Sequence, residues 1–427
     1  MGIPIDWKTR VRCPIFGFIY LSDLETEIIN HEIFQRLRRI KQLSLTDMVY
    51  PSATHTRFEH SLGVMQMASD MFDNIIRQED NREKLDLKNS YTDRIRKIIR
   101  LAALLHDIGH PPFSHAGEEV MPSLPEDHLV ASDSKELKKY KHEHYSRMAI
   151  EVFFKDMIEN HRRGLDGISI DAILLLLGEE NVKKHQYLTV FKELIVGQID
   201  ADRADYLLRD SYHLGVHYGH YDKDRFVNCI TIGENETDEE NEKGAPVLAI
   251  EYGGWQVAES LVLARYNMFT SVYFHKTRRI YDYHIGEALK EVLKSYGMEG
   301  GTFPTPLDDE TELKKYFEFD DWRIYGALKE GKGGKHGSYI LNRKHYKQKG
   351  GDWKGILTED NEQEIEALKL KYENHFLDKS LTKEYYKPDD NDIKIFKKKT
   401  GETVLLSQES QIINQIGRPE ITRFYAE

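Results

Sequence analysis

Three histidines, an aspartate and a glutamate fall within thirteen residues at the end of an apolar stretch. They are His106, Asp107, His110, His115 and Glu118. An adjacent His-Asp pair can offer one nitrogen and one carboxylate oxygen to the same ion, and such a ligand set suits a divalent transition metal. Gly109 and the two prolines after His110 end the helix and turn the later histidines back toward that pair. A lone buried histidine is usually a core residue, but this concentration predicts a metal centre.

Two further segments carry residues that could complete such a centre. Upstream lies His60, which on an amphipathic helix would more often be structural than a ligand when taken alone. Downstream, aspartates occupy positions 200, 202, 205 and 210 of an otherwise apolar helix. Their burial is costly unless they are paired or bound to metal. One interpretation is a salt-bridge ladder with Arg203 and Arg209, and the other is one wall of a site that also carries Tyr206.

Helices must position these residues. A capping box at Ser22–Glu25 and apolar residues at helical spacing over Arg57–Gln78 predict two of them, and Thr92 would cap a third. Further helices are predicted over Glu143–Asn160, Asp171–Leu177, Leu188–Arg209, Gln256–Lys276 and Ile285–Tyr296, with strands at Pro246–Tyr252, Ile393–Phe396 and Thr403–Leu406. The fold class is therefore mainly α, with a helical domain over residues 1–300 and a smaller α+β region over residues 301–427.

Composition excludes several protein classes. No run of 18 apolar residues exists among the 427, so no membrane span is expected, and the first residues lack the apolar stretch of a secretory signal. Cys13 and Cys229 are too few for a disulfide framework or a thiolate zinc site, which favours the cytoplasm. The net charge of −12 argues against extensive contact with nucleic acid but permits a local basic pocket for polyphosphate.

The order His60, His106-Asp107, Asp202 resembles the H…HD…D metal site of the HD superfamily, whose members hydrolyse phosphate esters. The flanking residues are more specific, and together they resemble the deoxynucleoside triphosphate triphosphohydrolases from about Cys13 to Lys347. The segments that carry this resemblance are Phe34–Leu43, Thr56–Gly63, His106–His115, Asp202–Asp210 and His213–Gly215. The resemblance implies that residues 1–300 hold an HD-type helical core and that the α+β C-terminal region follows it.

The resemblance also implies roles around a bound ion. His60, His106, Asp107 and Asp202 would hold Mn, Fe, Ni or Zn, and Mg would accompany the triphosphate. His115 would donate a proton to the leaving 5′-oxygen, Glu118 would orient it, and His110 would assist at the same phosphate. His142-Glu143 matches a second His-Glu element near the site.

Substrate contacts follow from the same resemblance. Arg57, Arg203 and Arg265 would neutralise the triphosphate, and Tyr206 would donate a hydrogen bond. The sugar would be read by Gln42, Leu43, Asp210 and Tyr273. The implied reaction converts a dNTP and water into a deoxynucleoside and inorganic triphosphate. A homo-oligomer, as a dimer, tetramer or hexamer, is the implied assembly.

The chain departs from the family pattern where a nucleotide activator would bind. Asn30 replaces an aspartate, Arg12–Gly17 replaces the usual N-terminal loop, and Glu251–Gly253 lacks two basic residues. The activator's phosphates could still be held in part by Arg225, Arg343 and Lys347. Phe274 stands where a relative has an amide, which bears on base preference. A requirement for an activator stays open.

Two other functions are compatible with the same metal site. A phosphodiesterase or nuclease acting on DNA or cyclic nucleotides would need an open groove with basic and stacking aromatic side chains. The net charge disfavours it, whereas the basic cluster Arg36–Lys41 favours it. The third alternative is a nucleotide-binding sensor or scaffold whose hydrolysis is incidental, and the complete set of metal ligands and proton donors counts against it.

Overall fold

A β-hairpin comes first in the part of the chain that the computed structural model describes. That part comprises residues 9–87, 89–125, 139–164, 167–178, 183–235, 244–306, 309–381, 386 and 392–427. Strands β1 (Thr9–Cys13) and β2 (Gly17–Leu21) pair antiparallel, and Gly17 adopts a φ of 75° at the turn. Ser22 then caps α1 (Asp23–Asn30) through the predicted capping box with Glu25.

The helical body is built around one long buried helix, α3 (Arg57–Arg77), which packs against α5 (Asn89–Leu105) and α10 (Ala201–Leu214). Fifteen of its residues are buried, so neighbouring elements cover most of its surface. The helices up to residue 214 are α2 (Glu32–Gln35), α3 (Arg57–Arg77), α4 (Glu79–Lys84), α5 (Asn89–Leu105), α6 (His142–Ala149), α7 (Lys155–Glu159), α8 (Ile170–Leu176), α9 (Thr189–Lys192) and α10 (Ala201–Leu214).

The following residues add helices and the first strands of a sheet. They comprise α11 (Lys223–Cys229), β3 (Ile230–Glu234), β4 (Pro246–Glu251), α12 (Trp255–Met268), α13 (Lys276–Ser295), α14 (Glu310–Phe317), α15 (Asp321–Lys329) and α16 (Gly334–Leu341). Two π-helical segments interrupt the α-helices, and they are Ile150–Phe154 after α6 and Phe269–Tyr273 after α12. Such segments are frequent at functional sites because they reorient the side chains that they carry.

Two small sheets complete the fold. The elements are β5 (Lys347–Lys354), α17 (Glu359–Lys371), β6 (His375–Leu381), β7 (Lys394–Lys397), β8 (Glu402–Leu405), α18 (Leu406–Glu409), α19 (Gln411–Gln415) and β9 (Glu420–Ala426). One sheet has the order β3-β4-β7-β8, in which β4 and β7 run parallel, and the other has the order β5-β9-β6. The first sheet joins strands from both sides of residue 300, and the domain boundary predicted there stays a prediction.

The mainly α fold class is confirmed, and several predicted element boundaries differ. The single helix predicted over Leu188–Arg209 is two helices, because Asp200 caps a new one by accepting from the Arg203 backbone N–H. The helix predicted to begin at Ile285 begins at Lys276 after a cap by His275. In the described part of the chain, no helix combines the length and apolar character that a membrane crossing requires.

Candidate metal centre and adjoining acid-base cluster

Three helices deliver the predicted metal ligands to one place. His60 lies in the first turns of α3, His106 and Asp107 follow the end of α5, and Asp202 lies at the start of α10. Helices α3 and α10 approach closely at Gly63, where any Cβ would overlap the Asp205 carboxylate and the Arg209 guanidinium. The glycine therefore sets the separation of the two helices that carry His60 and Asp202.

The ligand atoms converge within bonding range of a single ion. One ligand atom from each of His60, His106 and Asp202 lies within 4.8 Å of the others. Asp202 Oδ1 is 2.9 Å from His60 Nε2 and 3.7 Å from His106 Nε2. The Asp107 carboxylate lies 3.5 Å from His60 Nε2 and 3.3 Å from His106 Nε2. The four residues thus offer two nitrogens and two carboxylates around one point.

Hydrogen bonds on the far side of each imidazole fix which nitrogen faces that point. His60 Nδ1 lies 2.8 Å from Asp205 Oδ2, and His106 Nδ1 lies 2.8 Å from the Ala103 carbonyl. Both Nδ1 atoms must donate there, so each Nε2 keeps its lone pair. Among the described residues these two buried Nε2 atoms have no hydrogen-bond partner. Buried orphan lone pairs with carboxylates beside them fit a divalent transition metal.

The charges around the histidines favour a cation. Burial opposes a charged His60 imidazole, but the neighbouring Asp202 and Asp205 carboxylates raise its pKa to about 10. Burial likewise opposes ionisation of Asp202 and Asp107, yet their cationic neighbours hold both pKa values well below the usual range. The carboxylates around the two imidazoles therefore stabilise positive charge at this position.

The aspartates of α10 divide between the two interpretations that the sequence left open. Asp200 pairs with Arg203, and Asp205 forms a two-bond ion pair with Arg209 at 2.8 Å. Asp202 instead faces His60 and His106. The salt-bridge ladder thus accounts for two of the aspartates, while the one in the H…HD…D pattern lies in the candidate metal centre.

A second cluster adjoins the first. One ligand atom from each of His110, His115, Glu118 and His142 lies within 4.8 Å of the others. Glu118 links two of these rings, because its Oε2 lies 3.0 Å from His115 Nδ1 and its Oε1 lies 2.6 Å from His142 Nδ1. The His110 and His142 rings stack with centroids 3.7 Å apart. A carboxylate between two imidazoles is an arrangement that can hold and release a proton.

The members of this acid-base cluster differ in charge and exposure. Burial lowers the pKa of His110 well below its usual value, so this ring is neutral, and both of its nitrogens lack a hydrogen-bond partner among the described residues. Burial also opposes a charged His142, but Glu143 and Glu118 raise its pKa to about 9. His115 is the accessible member, with 63% of its side chain exposed. Glu143 lies 3.4 Å from His142 Nδ1.

Asp107 joins the two clusters. Its Oδ1 lies 3.3 Å from His106 Nε2 and 3.4 Å from His110 Nε2. Its Oδ2 forms an ion pair with Arg57, whose Nε donates to Ser114 Oγ at 2.8 Å. Arg57, which the resemblance places at the triphosphate, therefore lies at the junction of the metal centre and the acid-base cluster.

The residues expected to read a sugar form a third group. Tyr273 donates to Asp210 Oδ2 at 2.6 Å, and His55 Nε2 lies 2.8 Å from Asp210 Oδ1. The Gln42 backbone N–H donates to the His55 carbonyl at 3.0 Å, and the buried Gln42 Oε1 has no hydrogen-bond partner among the described residues. Leu43 beside it is buried. These residues place a carboxylate, a phenol and an unpartnered amide oxygen in one group, and each of them can hydrogen-bond to a hydroxyl.

Tyr206 lies between the metal ligand Asp202 and the hydrogen-bonded pair of Asp210 and Tyr273. Its ring centroid is 6.3 Å from that of Tyr273. Burial raises the pKa of Tyr206 to about 12, although Arg265 and Arg203 oppose the rise. Both arginines are thus close enough to Tyr206 to lower the pKa of its hydroxyl. Arg203 also contacts Asp200 and the Gly197 carbonyl, while Arg265 lies over the Phe269 ring at 5.7 Å.

The residues proposed for an activator's phosphates lie apart from this group. Arg225 donates to the Gly253 carbonyl at 2.7 Å, and Arg343 donates to the Met48 carbonyl at 3.1 Å. These bonds occupy one guanidinium nitrogen of each side chain. The requirement for an activator is therefore a question for the assay of paired nucleotides.

Three residues that support the site were not predicted from the sequence. Asp205 orients His60, His55 contacts Asp210, and Ser114 bridges Arg57 and the Lys41 carbonyl. Asp205 carried a recognisable signal, since it lies three residues after Asp202 and four before Arg209 on one helix. The roles of His55 and Ser114 depend on contacts between distant segments, which spacing does not reveal.

Known proteins resemble this chain in sequence and in fold. The HD domain family matches residues 57–210, and the family described as the HD associated region matches residues 221–350. An uncharacterized protein of Methanocaldococcus jannaschii is 38% identical over 283 residues, which cover 66% of this chain and 49% of that protein. A crystal structure of a hypothetical protein from Aquifex aeolicus matches with a TM-score of 0.73 at 25% identity, covering 98% of this chain and 96% of that one.

Some relatives carry a name that describes an activity. The deoxynucleoside triphosphate triphosphohydrolase SAMHD1 homolog of Dictyostelium discoideum is 35% identical over 205 residues, which cover 47% of this chain and 35% of that protein. The chain spans about half the length of the first curated relatives that it matches, and about a third of this one. The 205 matched residues are therefore evidence about the shared domain.

Proposed function

The chain belongs to the HD-domain family, with the HD domain at residues 57–210 and its associated region at residues 221–350, and we propose that it is a metal-dependent phosphohydrolase that converts a dNTP into a deoxynucleoside and inorganic triphosphate. The observation that carries this proposal is the juxtaposition of a metal-ligand set with an acid-base cluster through Asp107. The activity named for the Dictyostelium relative supports the choice of substrate.

The two histidines and two carboxylates of the metal centre would hold Mn, Fe, Ni or Zn. An ion bound there supplies Lewis-acid polarisation of a phosphate and lowers the pKa of a bound water. His60 and His106 present their Nε2 lone pairs, while Asp107 and Asp202 supply negative charge. Asp205 and the Ala103 carbonyl keep the imidazoles in the ligating tautomer. Mg would accompany the triphosphate of the substrate.

His115 is suited to protonate the leaving 5′-oxygen. It is the exposed member of the acid-base cluster, and its Nδ1 contacts Glu118. Burial opposes ionisation of Glu118, but His115 and His142 hold its pKa well below the usual value, so it is a carboxylate. A carboxylate at Nδ1 orients the ring and leaves Nε2 free to face the substrate. Neutral His110 can accept or donate one hydrogen bond at the same phosphate.

Cationic and phenolic groups would hold the rest of the nucleotide. Arg203 and Arg265 flank Tyr206, and this trio would contact the triphosphate while Arg57 neutralises the phosphate nearest to the metal. The hydrogen-bonded pair Asp210 and Tyr273 would bind the sugar hydroxyl, with Gln42 and Leu43 limiting the space beside it. In this proposal the protein works in the cytoplasm as a homo-oligomer.

The basic cluster that favoured a nuclease is engaged in internal contacts. Arg36 is buried, Arg39 pairs with Asp320, and Lys41 pairs with Asp47 at 2.7 Å. Arg38 lies over the Phe58 ring at 3.5 Å. Arg38 is the exposed member of the cluster, and a single exposed arginine is not an extended basic surface, which supports a nucleotide substrate over DNA.

Product analysis tests the proposed function. The purified protein with Mn²⁺ is incubated with each dNTP and each rNTP, singly and in pairs, and products are separated by chromatography. We expect deoxynucleoside and triphosphate from dNTPs, and activity only in pairs would show that an activator is required. The matched control is His144→Ala, an exposed histidine of α6 outside both clusters, which should stay active while the double variant H106A/D107A does not. Absence of nucleoside from the metal-loaded wild type would contradict the proposal and favour the phosphodiesterase.

The double variant also separates an enzyme from a nucleotide sensor. A sensor would keep its nucleotide affinity and its biological effect when H106A/D107A removes turnover. If the metal-loaded wild type turns over dNTPs and the cellular effect disappears together with turnover, hydrolysis is the function. Retention of the effect by the inactive variant would favour the sensor.

A further inference from the structure

The turn that carries the acid-base cluster has a demanding backbone conformation. It begins at Gly109, directly after the metal-ligand segment, and ends at Ser114, next to His115. Phe113 and Ser114 adopt φ values of 61° and 54°, a left-handed conformation that is unfavourable for residues with side chains. Two consecutive left-handed residues persist only where surrounding contacts hold them. We call residues 109–114 the catalytic turn.

Those contacts come from a segment about two hundred residues later in the chain. Tyr316 donates its hydroxyl to the Gly109 carbonyl at 2.6 Å. Arg36 bridges the two segments, donating to the Phe319 carbonyl at 2.7 Å and to the His110 carbonyl at 2.8 Å. Asp321 Oδ1 accepts the Phe113 backbone N–H at 2.7 Å. Residues 316–321, which we call the clamp segment, thus bind the catalytic turn directly at Gly109 and Phe113, and indirectly, through Arg36, at His110.

Asp321 also contacts Lys41, which directly precedes Gln42 and Leu43. Its Oδ2 accepts the Lys41 backbone N–H at 2.9 Å, and the Lys41 carbonyl accepts from Ser114 Oγ at 2.6 Å. Ser114 Oγ in turn accepts from Arg57, which pairs with Asp107. A continuous series of hydrogen bonds therefore runs from Asp321 to the carboxylate that joins the metal centre to the acid-base cluster.

We propose that Asp321 and Tyr316 are positioning residues that hold the catalytic turn in the conformation required for proton transfer by His115. This inference rests on the proposed function. Neither residue is placed at the substrate, since Asp321 is 1% exposed and Tyr316 is fully buried. Their effect is on geometry, because an acid displaced by about 1 Å from its proton acceptor can lose roughly a hundredfold in rate.

Asp321 is suited to hold both segments because its carboxylate accepts two backbone N–H groups, from Phe113 and Lys41. An apolar side chain would fill this space without the cost of burying a carboxylate, but it could accept neither group. Burial raises the pKa of Asp321 to about 7, although the Lys41 and Phe113 amides oppose the rise. Four hydrogen bonds separate Asp321 from Asp107, and the metal ligands lie outside residues 109–114, so we expect the clamp segment to affect turnover more than metal binding.

The test compares isosteric variants of buried groups. Asp321→Asn keeps one acceptor and loses the other, Asp321→Ala loses both, and Tyr316→Phe removes one hydroxyl. The matched control is Tyr145→Phe, because Tyr145 stacks on Tyr316 with centroids 4.0 Å apart yet donates to the Pro304 carbonyl outside the turn. We expect kcat to fall about tenfold in D321N and Y316F and about a hundredfold in D321A, with KM and metal content within about twofold of the wild type. Y145F should match the wild type.

Hydrogen exchange gives a readout that does not depend on substrate. Exchange at the Phe113 and Lys41 amides should accelerate in D321N and stay unchanged in Y145F. Unchanged exchange, or losses of kcat, KM and metal content that parallel melting temperature in all variants including Y145F, would overturn the proposal. If the wild type does not hydrolyse dNTPs, the proposed function fails, and the clamp is then judged by exchange alone.

Discussion

At the scale of single residues, Asp205 is the group on which His60 depends. The imidazole donates to Asp205, and Arg209 holds that carboxylate with two hydrogen bonds. Partners of this kind orient metal-ligating histidines and raise their basicity. The residue lies in the middle of the candidate site without contacting the ion position itself, so its removal isolates the effect of orientation.

Asp205→Asn should weaken metal binding by about tenfold to a hundredfold, since an amide cannot enforce the same histidine tautomer. Metal content after dialysis against a chelator series, measured by mass spectrometry, checks this. Asp73→Asn is the control, because Asp73 lies thirteen residues beyond His60 in α3 and pairs with Arg96 in α5 at 2.7 Å. Equal metal affinity in the two variants would show that Asp205 only stabilises the fold.

The sequence predicted ligand types better than it predicted their support. His106 and Asp107 could be recognised as a ligand pair because they are adjacent and the glycine and prolines that follow them indicate a turn. Asp321 gave no signal, since an acidic residue at the start of a helix is an ordinary N-terminal feature. Its partners lie 208 and 280 residues away, and only the fold brings them together.

At the scale of elements, the crossing of α3 and α10 determines the geometry of the metal centre. Gly63 sits where the two helices touch, and an added Cβ would overlap Asp205 and Arg209. Alanine is intrinsically the better helix former by about 1 kcal/mol. The steric overlap of an added Cβ therefore opposes the helix preference for alanine at position 63. It would act on Asp205 and Arg209, the ion pair that orients His60.

Gly63→Ala should lower both the melting temperature and the metal affinity, in spite of the gain in helix propensity. Gly286→Ala in α13 is the matched control, because its Cβ would meet only the Glu119 side chain at 3.4–3.5 Å, an ordinary contact. Thermal denaturation with and without Mn²⁺ checks the prediction. A Gly63→Ala protein as stable and as metal-avid as Gly286→Ala would contradict it.

The N-terminal hairpin and α1 are fastened to α5 by a buried ion pair. Arg100 donates to both Glu25 oxygens, at 2.6 and 2.9 Å, and to the Tyr20 carbonyl at 2.9 Å. Burial raises the pKa of Glu25, but Arg100 more than compensates, and the net pKa lies below the ordinary 4.5. A carboxyl group whose pKa is lower in the folded state stabilises the fold above pH 4.5. This contribution is lost as the pH falls through the pKa of the folded state.

Glu25→Gln should therefore lower the free energy of unfolding by about 3 kcal/mol at neutral pH, since it leaves Arg100 buried without its counter-charge. The difference from the wild type should shrink as the pH is lowered below the ordinary Glu pKa of 4.5, where the wild-type carboxyl also loses its charge. Urea denaturation at neutral and acidic pH measures both values. Glu27→Gln, exposed on the same helix, is the control, and a pH-independent difference would refute the prediction.

Helices were easier to predict than strands for a physical reason. A helix satisfies its backbone locally, so the apolar periodicity of Arg57–Arg77 is sufficient to identify α3. The β5-β9-β6 sheet pairs segments far apart in sequence, and β5 is a polar, glycine-bearing strand with two register shifts. Because β5 has neither alternating apolar and polar residues nor β-branched ones, it was not predicted from the sequence.

At the scale of the whole molecule, the C-terminal sheet contacts the segment that follows Tyr273. Arg423 in β9 donates to the Phe274 carbonyl at 2.7 Å, and Tyr425 donates to the Lys276 carbonyl at 3.0 Å. Phe274 directly follows Tyr273, which holds Asp210. The C-terminal strands thus support the segment between the π-helical turn and α13.

Arg423→Gln should raise KM for a dNTP several-fold, because the Tyr273–Lys276 segment loses a buried hydrogen bond, and kcat should change less. Steady-state kinetics over a range of dNTP concentrations checks this. Arg418→Gln removes an exposed arginine nearby and serves as the control. A fall in kcat without a change in KM would assign Arg423 to general stability or to the acid-base cluster instead.

The hydrogen bonds between the clamp segment and the catalytic turn have a consequence for the time course of folding. The metal ligands all lie between residues 60 and 202, whereas closing the contact from Phe113 to Asp321 spans 208 residues. Loops of such length close late, after local helices and their nearer contacts have formed. We therefore expect the refolding chain to acquire its metal before it acquires turnover. In the interval it would be a metal-loaded intermediate whose acid is not yet in place.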